Sequence, residues 1–182
     1  MRELILGGQR SGKSARAETL AAQWLADSSA HRAVFVATAT AWDDEMRERI
    51  ARHQRDRAQR VPGMVTVEEP VDLAGAVARN NATDTLVVVD CLTLWLTNLL
   101  MPAQGDVGAS DARTTALAQT LSTHTGPLIL VSNEIGLGVI PMGAEVRAFV
   151  DALGRLNQQV AAACDRVTLM AAGLPLTLKD TA

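Results

Sequence analysis

Short apolar runs alternate with longer segments of helical periodicity along almost the whole chain. The apolar runs are rich in Val, Leu and Ile, which is typical of strands buried on both faces. They predict strands at residues 4–6, 33–38, 65–67, 85–89, 128–131 and 167–170. Apolar residues spaced by three and four predict helices at residues 12–26, 43–57, 70–77, 92–100, 111–122 and 144–163. Residues 101–110, which contain Gly and Pro, are predicted to form a loop.

Three residues are expected to mark the starts of helices. Asp43, or Asp44 beside it, is predicted to cap the second helix, and Asp111 to cap the fifth. Pro70 suits the first turn of the third helix, where a missing N–H group has no cost.

The order of these elements predicts the fold class. Strands that alternate with helices indicate an α/β fold with a mainly parallel central sheet, right-handed crossovers and helices on both faces. The length of 182 residues suits one domain, residues 1–182, because no segment has the composition of a linker. Ligands of such folds bind at the carboxyl ends of the strands, so functional side chains are expected there.

The segment after the first predicted strand fits the phosphate-binding loop (P-loop) pattern G-x-x-x-x-G-K-[ST]. Its residues are Gly7, Gly8, Gln9, Arg10, Ser11, Gly12, Lys13 and Ser14. In this pattern backbone N–H groups surround phosphate oxygens, the lysine reaches the β- and γ-phosphates, and the serine hydroxyl binds Mg²⁺. Only Lys13 and Lys179 among the 17 basic residues are lysines, so a chain that otherwise uses arginine keeps lysine here. We therefore predict a nucleoside triphosphate site rather than an ordinary glycine-rich turn.

A second nucleotide-binding element is predicted where the strand at residues 85–89 ends. Asp90 follows a run of three valines, which is the layout of a Walker B element whose aspartate holds Mg²⁺ opposite the P-loop serine. An aspartate at this place can also cap the strand or the next helix. Because the P-loop occurs in the same chain, we expect Ser14 and Asp90 to share the metal ion.

The predicted second helix is strongly charged, and it contains His53. Met46, Ile50, His53 and Arg57 follow spacings of four, three and four, which place the histidine on the apolar stripe of the helix. One interpretation is a semi-buried histidine of the core. The other is a nucleophile or proton carrier among phosphates that the surrounding arginines bind. The residues alone leave both interpretations open.

Composition and charge exclude several classes of function. A net charge of −3 and an isoelectric point near 5.6 argue against general nucleic-acid binding. Cys91 and Cys164 form no metal-binding pattern and no disulfide framework, so buried free thiols in a reducing compartment are expected. The first strand leaves no room for a signal peptide, and no apolar run is long enough to span a bilayer. We therefore predict a cytoplasmic protein without a nucleic-acid or membrane partner.

One further segment lies where substrate is expected. Asn133 and Glu134 follow the predicted strand at residues 128–131, and Gly136 and Gly138 would let the next loop approach a bulky ligand. The block Ser-Asn-Glu-Ile-Gly-Leu-Gly at residues 132–138 is far more specific than any P-loop.

Together these segments resemble the bifunctional adenosylcobinamide kinase / adenosylcobinamide-phosphate guanylyltransferase family of cobalamin biosynthesis. The resemblance covers nearly the whole chain in order. The matching segments are residues 7–14, 37–39, 44–46, 49–53, 66–70, 89–95, 131–141, 154–158 and 172–176.

The resemblance implies a RecA-like P-loop fold, a homo-oligomer similar to a trimer, and two activities. Such enzymes phosphorylate the hydroxyl of the aminopropanol arm of adenosylcobinamide with ATP or GTP. They then transfer GMP from GTP to the new phosphate and release pyrophosphate. His53 occupies the position of the family's guanylyl-carrying histidine. Beside the P-loop, the implied nucleotide contacts are Thr38, Ala39, Thr40, Gln54, Arg55, Asp56, Arg57, Glu68 and Asp90.

The chain departs from the family pattern in two places. Gln9 stands where the family commonly has alanine. The Arg-Pro-x-x-Trp stretch that usually follows the histidine is altered, since Ala58 follows Arg57 and the Arg-Val-Pro sequence begins only at Arg60, with Met64 in place of the tryptophan. The choice between Arg57 and Arg60 as the family's contact therefore stays open.

Two other functions are alternative hypotheses. A different small-molecule P-loop kinase would have no covalent role for His53. A RecA-type nucleotide-driven binding protein would act as a switch or motor, although the acidic isoelectric point disfavours its association with nucleic acid.

Overall fold

The computed structural model describes residues 1–41, 43–102 and 110–181, apart from the side chain of residue 49. The strands are β1 (Arg2–Gly7), β2 (Arg32–Ala37), β3 (Val65–Glu68), β4 (Thr85–Asp90), β5 (Leu128–Val131), β6 (Arg166–Ala171) and β7 (Leu174–Asp180). The helices are α1 (Lys13–Asp27), α2 (Asp44–Arg60), α3 (Leu73–Arg79), α4 (Leu92–Leu100), α5 (Ser110–Thr123) and α6 (Ala144–Ala163). Each strand and helix that the hydrophobic pattern predicts is present. Residues 103–109 of the predicted loop lie outside the described residues.

The strands form one seven-stranded sheet in the order β3-β2-β4-β5-β1-β6-β7. Strands β1 to β6 are parallel, and β7 pairs with β6 in the antiparallel direction. The register places Glu68, Ala37, Asp90 and Val131 in one row across β3, β2, β4 and β5. The carboxyl ends of these strands therefore share one edge of the sheet with the end of β1.

Helices cover both faces of the sheet. On one face α1 packs through Ala17 and Ala21 against strand residues such as Phe35 and Ile129. On the other face α3, α4, α5 and α6 bury a larger apolar cluster that includes Trp95 and Leu130. The predicted mainly parallel α/β fold with helices on both faces is confirmed. Every helix in the described part of the chain is too short or too polar to cross a membrane.

The predicted helix starts are correct in one case and wrong in two. Asp43 caps α2, because its carboxylate accepts a hydrogen bond of 2.7 Å from the Met46 N–H group. Helix α3 begins at Leu73 and not at Pro70, because Asp72 is its cap and accepts from the Gly75 N–H group. Helix α5 begins at Ser110, so Asp111 lies inside its first turn and does not cap it.

The sequence pattern missed β7, and the predicted strand at residues 167–170 is not the last one. A turn at Ala172 and Gly173, both with positive φ, reverses the chain after β6. The new strand leaves Leu174, Leu176 and Leu178 exposed at the edge of the sheet. Both cysteines are buried free thiols, as predicted.

Candidate active site

The loop between β1 and α1 requires its glycines. Gly7 has φ of 152°, and a Cβ atom there would come within 2.5 Å of the Met170 carbonyl oxygen. Gly12 has φ of 102° and stands immediately before α1, so the amino end of the helix opens into the loop. Gly8, Gln9 and Arg10 are exposed at the rim of this loop. The hydroxyl of Ser11 is buried and has no hydrogen-bond partner among the described residues. The predicted P-loop is thus a backbone cradle at the amino end of a helix, the arrangement that binds phosphate.

Lys13 is buried at the base of this cradle. Its Nζ atom donates hydrogen bonds of 3.0 Å to the Gly7 carbonyl and 2.7 Å to the Gly8 carbonyl. Burial lowers the pKa of the Lys13 ammonium, and the negative charge of Asp90 opposes this shift. The ammonium group is therefore held inside the loop and close to Asp90.

Ser14 and Asp90 are in contact at the carboxyl ends of the strands, as the two motifs predict. The Ser14 hydroxyl donates a hydrogen bond of 2.7 Å to Asp90 Oδ2. Burial raises the pKa of the Asp90 carboxyl, whereas this hydrogen bond and the positive charges of Lys13, His53 and Arg57 lower it. The two oxygens are close enough to bind one small cation. Mg²⁺ suits such a site, because it takes one or two protein oxygens together with the phosphates of a nucleotide.

The segment after β5 is fastened to the P-loop. The Glu134 N–H group donates to the Gly7 carbonyl at 3.1 Å, beside the hydrogen bond from Lys13 to the same oxygen. A buried network fixes the preceding backbone, because the Asn157 side chain accepts from the Ser132 hydroxyl at 2.7 Å and donates to the Asn133 carbonyl at 3.0 Å. This network escaped the sequence analysis, although a polar Ser132 directly after the apolar run at residues 128–131 was its signal.

His53 lies on the exposed side of α2. The interpretation of His53 as a semi-buried core residue is therefore wrong, although the helical spacing suggested it. Met46 and Ile50 are only half-buried, and Arg57 is the buried member of the stripe. In its protonated form His53 lowers the pKa of the Asp90 carboxyl, so the imidazole lies within electrostatic range of the candidate metal site.

Arg57 and Arg60 have different surroundings. The Arg57 guanidinium lies 3.7 Å from the centre of the Phe35 ring and donates a hydrogen bond of 3.1 Å to the Thr66 hydroxyl. Burial lowers its pKa, against the charges of Glu18 and Asp90. Arg60 forms an ion pair of 2.8 Å with the buried Glu18 of α1. Of the two arginines, Arg57 is thus the one on which the charge of Asp90 acts, and Arg60 joins α2 to α1.

The predicted nucleotide contacts outside the P-loop form two groups, one on α2 and the end of β3 and the other after β2. Gln54 donates a hydrogen bond of 3.1 Å to the Glu68 carboxylate, so α2 and the end of β3 meet there. Arg55 is exposed, and Asp56 pairs with Arg60 at 3.7 Å. In the second group Thr38 is fully buried and exchanges hydrogen bonds with the Cys91 backbone through its hydroxyl. Ala39 and Thr40, which follow it, are half-buried.

A buried asparagine links the segments that follow β2 and β3. The side-chain amide of Asn98 in α4 donates to the carbonyls of Thr38 at 2.8 Å and Pro70 at 3.1 Å. The sequence analysis missed this residue, although a single asparagine in the apolar helix 92–100 is an unusual position for a side chain with two donors. Asn98 therefore sets the distance between two segments that carry predicted nucleotide contacts.

Comparison with known proteins gives the same functional class. Residues 3–178 match the model of the family described as cobinamide kinase / cobinamide phosphate guanyltransferase. The chain is 48% identical over 179 residues to the bifunctional adenosylcobalamin biosynthesis protein CobP of Pseudomonas aeruginosa, with 98% of each chain covered. It is 34% identical over 187 residues to the bifunctional adenosylcobalamin biosynthesis protein CobU of Escherichia coli, with 97% of this chain and 98% of the relative covered.

The fold also has a counterpart among solved structures. The flagellar accessory protein FlaH from Methanocaldococcus jannaschii superposes with a TM-score of 0.54 at 11% sequence identity. The match covers 98% of this chain and 77% of FlaH. At this identity the likeness concerns the fold alone, and it agrees with the predicted RecA-like P-loop NTPase fold.

Proposed function

The chain belongs to the cobinamide kinase / cobinamide phosphate guanyltransferase family, and from this premise we propose how its residues divide the two reactions. The enzyme phosphorylates the aminopropanol hydroxyl of adenosylcobinamide. It then transfers GMP from GTP to the new phosphate, which gives adenosylcobinamide-GDP and pyrophosphate. This function replaces the alternatives of an unrelated P-loop kinase and of a nucleotide-driven binding protein. We propose that the single domain formed by residues 1–182 performs both steps at the carboxyl edge of the sheet.

The observation that carries the proposal is the cluster of Lys13, Ser14 and Asp90. Lys13 is fixed within the P-loop by the Gly7 and Gly8 carbonyls, and it supplies the positive charge for the β- and γ-phosphates. The P-loop N–H groups and the amino end of α1 bind the same phosphates. Ser14 and Asp90 would hold Mg²⁺, which neutralises charge on the phosphate oxygens when it is bound. ATP or GTP serves as the phosphoryl donor.

The guanylyl step needs a nucleophile, and His53 is the residue proposed for it. The neutral imidazole nitrogen forms a bond to the α-phosphorus of GTP while the bond from that phosphorus to the pyrophosphate oxygen breaks. A phosphate oxygen of adenosylcobinamide phosphate then attacks the same phosphorus, and the imidazole leaves. Two displacements replace one, so the nucleotide is held on the enzyme until the second acceptor binds. The exposure of His53 supports this role, because both a triphosphate and a corrinoid phosphate must reach the nitrogen.

Recognition of the guanine nucleotide is proposed for the two groups of residues beside α2. Glu68 carries a carboxylate that can accept hydrogen bonds from a guanine base, and Gln54 holds this carboxylate in place. Thr38, Ala39 and Thr40 follow β2 at the same edge, and Arg55, Asp56 and Arg57 continue α2 after His53. Arg57 contributes positive charge near Asp90, whereas Arg60, which is outside these groups, anchors the helix to Glu18.

We propose a homo-oligomer from the exposed apolar residues beyond β5, and the family resemblance makes a trimer the expected form. Leu137, Val139, Ile140 and Met142 are 78%, 96%, 78% and 97% exposed in a segment that joins β5 to α6. Four exposed apolar side chains within six residues of the chain are typical of a subunit contact. Light scattering of the parent chain and of a Val139→Ser, Met142→Ser double variant tests the proposal. It is supported if the parent has the mass of an oligomer and the variant a lower mass, and contradicted if the parent is monomeric.

Transfer from isolated labelled enzyme tests the division of the two reactions. The protein is incubated with GTP labelled at the α-phosphorus, separated from free nucleotide, and mixed with either adenosylcobinamide phosphate or adenosylcobinamide. The proposal predicts that label moves to the phosphorylated corrinoid and stays on the protein with the unphosphorylated one. Protein that takes up no label, or that releases it equally with both corrinoids, would contradict the proposal.

A further inference from the structure

Phosphorylation of an alcohol requires a group that takes the hydroxyl proton, and we infer that Glu134 is this general base. The inference rests on the proposed function, since it assigns the kinase step to the P-loop edge. It adds a catalytic residue for the first of the two reactions only.

The position of Glu134 follows from the order of the strands. Strand β5 lies between β1, which leads into the P-loop, and β4, which ends at Asp90. The Glu134 N–H group donates to the Gly7 carbonyl at 3.1 Å, and Lys13 Nζ donates to the same oxygen at 3.0 Å. The backbone of Glu134 therefore lies beside the lysine that binds the β- and γ-phosphates in P-loop enzymes.

The backbone that carries Glu134 is firmly held. The Asn133 N–H group donates to the Thr93 hydroxyl at 2.9 Å, and Asn157 holds the Asn133 carbonyl and the Ser132 hydroxyl. These contacts come from α4 and α6, which flank β5 on one face of the sheet. A base that removes a proton must be placed within hydrogen-bond distance of it, and such a support provides that placement.

Glu134 is half-buried, and its carboxylate has one hydrogen bond in the described part of the chain. The Gly136 N–H group donates to Glu134 Oε1 at 3.2 Å, and the described residues provide no further hydrogen bond to the carboxylate. A Cβ atom at position 136 would lie 3.3 Å from Glu134 Oε1, a tight contact. The glycine therefore leaves room for the carboxylate to approach the backbone at this position. One carboxylate oxygen is thus oriented by the loop, and the other is free to accept from a substrate hydroxyl.

The other carboxylates that follow strands at this edge have different roles. Asp90 accepts from Ser14 and belongs to the proposed metal site. Glu68 accepts a hydrogen bond from Gln54. It lies at the end of β3, which three strands separate from β1. Glu69 accepts from the N–H groups of residues 71 and 72 through one oxygen. Among the described carboxylates that follow these strands, Glu134 is the one whose backbone contacts the P-loop, and these roles leave it for proton removal.

The chemistry requires the base in one step and not in the other. As Glu134 takes the hydroxyl proton, the alcohol oxygen bonds to the γ-phosphorus and the bond to the β,γ-bridging oxygen breaks. The nucleoside diphosphate leaves with that electron pair, and Glu134 then releases the proton to solvent. In the guanylyl step the acceptor is a phosphate oxygen that is ionised at neutral pH, so that acceptor has no hydroxyl proton to lose.

The isosteric variant Glu134→Gln tests the inference. Loss of a general base predicts a fall in kinase kcat of about 10²- to 10⁴-fold, with little change in KM for adenosylcobinamide. Uptake of α-label from GTP, and GMP transfer to supplied adenosylcobinamide phosphate, should keep the parent rates. This second half-reaction also reports that the variant is folded. Glu145→Gln is the matched control, because Glu145 is an exposed carboxylate in the first turn of α6 and should leave both rates unchanged.

Two results would overturn the inference. One is a Glu134→Gln enzyme that keeps the parent kinase rate. The other is an equal loss of both half-reactions, which would mean that Glu134 only supports the loop. If the parent itself takes up no α-label, the histidine carrier of the proposed function fails, whereas the kinase comparison of the two glutamate variants still decides the role of Glu134.

Discussion

The Ser14 hydroxyl donates a hydrogen bond of 2.7 Å to Asp90 Oδ2, and so joins the start of α1 to the end of β4. The two residues are 76 positions apart in the chain. Proteins without a nucleotide site also contain serines after glycine-rich turns and aspartates at strand ends. Here the contact between the two residues places a pair of oxygens beside the buried Lys13. This relationship underlies the assignment of the P-loop edge to phosphoryl transfer.

Asp90→Asn should weaken the Mg²⁺ dependence of catalysis more than it weakens nucleotide binding without metal. The variant keeps the size of the side chain and removes the charge that attracts the cation. We expect the half-saturating Mg²⁺ concentration of the kinase reaction to rise by about tenfold or more, which corresponds to a loss of about 1.4 kcal/mol. Titration of activity against Mg²⁺ measures this change. An unaltered curve would make Asp90 a structural residue at the end of β4.

Lys13→Ala should abolish tight triphosphate binding and the kinase step without unfolding the protein. The phosphates lose a fixed positive charge, whereas the loop backbone loses only two side-chain hydrogen bonds to the Gly7 and Gly8 carbonyls. Calorimetry with GTP and circular dichroism check the two parts. The other lysine of the chain provides the control, since Lys179→Met should bind GTP like the parent. Undiminished GTP affinity in Lys13→Ala would contradict the P-loop assignment.

Lys179→Met should lower the stability of the fold and leave catalysis unchanged. Lys179 Nζ donates to the carbonyls of Ala161, Ala162 and Cys164 at 3.0, 3.3 and 2.6 Å, and so places a positive charge at the carboxyl end of α6. Methionine keeps most of the apolar stem but has no donor. We expect a loss of about 1–2 kcal/mol in the free energy of unfolding, measured with urea. A parent-like unfolding midpoint would show that solvent replaces the ammonium at no cost.

His124 should make the stability depend on pH. The side chain is buried, both ring nitrogens have no hydrogen-bond partner among the described residues, and burial lowers its pKa below the ordinary value of 6.5, aided by the charge of Arg2. The unfolded chain therefore binds a proton more readily than the folded one. The stabilising contribution is complete above pH 6.5 and is lost as the pH falls through the lowered pKa.

Urea unfolding of the parent and of His124→Leu between pH 5 and pH 8 tests this dependence. The parent should lose more stability than the variant on acidification, because leucine has no proton to bind. Equal losses in the two proteins would assign the pH dependence to other groups.

Local patterns in the sequence predicted most of the sheet, because buried parallel strands such as β4 and β5 are continuous apolar runs. The edge strand β7 has no such signal, since Leu174, Leu176 and Leu178 alternate with other residues and stay exposed. The start of α3 was predicted at Pro70, but the helix begins at Leu73, because the side chain of Asp72 caps it.

The candidate site was predictable where one continuous motif contains both the phosphate-binding residues and the glycines that shape their loop, as in residues 7–14. The exposure of His53 could not be predicted. Helical spacing shows which residues share a stripe but not which part of that stripe packs against the sheet. Arg57 is buried against Phe35, and His53, one turn earlier, is exposed. Contacts such as Asn157 with Ser132, and Asn98 with Thr38 and Pro70, join distant segments, so they follow from the packing of helices on the sheet and not from a local pattern.

Covalent labelling tests most directly the proposal that His53 carries the guanylyl group. GTP labelled at the α-phosphorus should leave label on the parent enzyme, and GTP labelled at the γ-phosphorus should not. The proposed bond is a phosphoramidate, so the label should be lost in acid and persist in base. His53→Asn, a polar variant of similar size, should take up no α-label and should still phosphorylate adenosylcobinamide. A His53→Asn enzyme that still takes up the α-label would contradict the account.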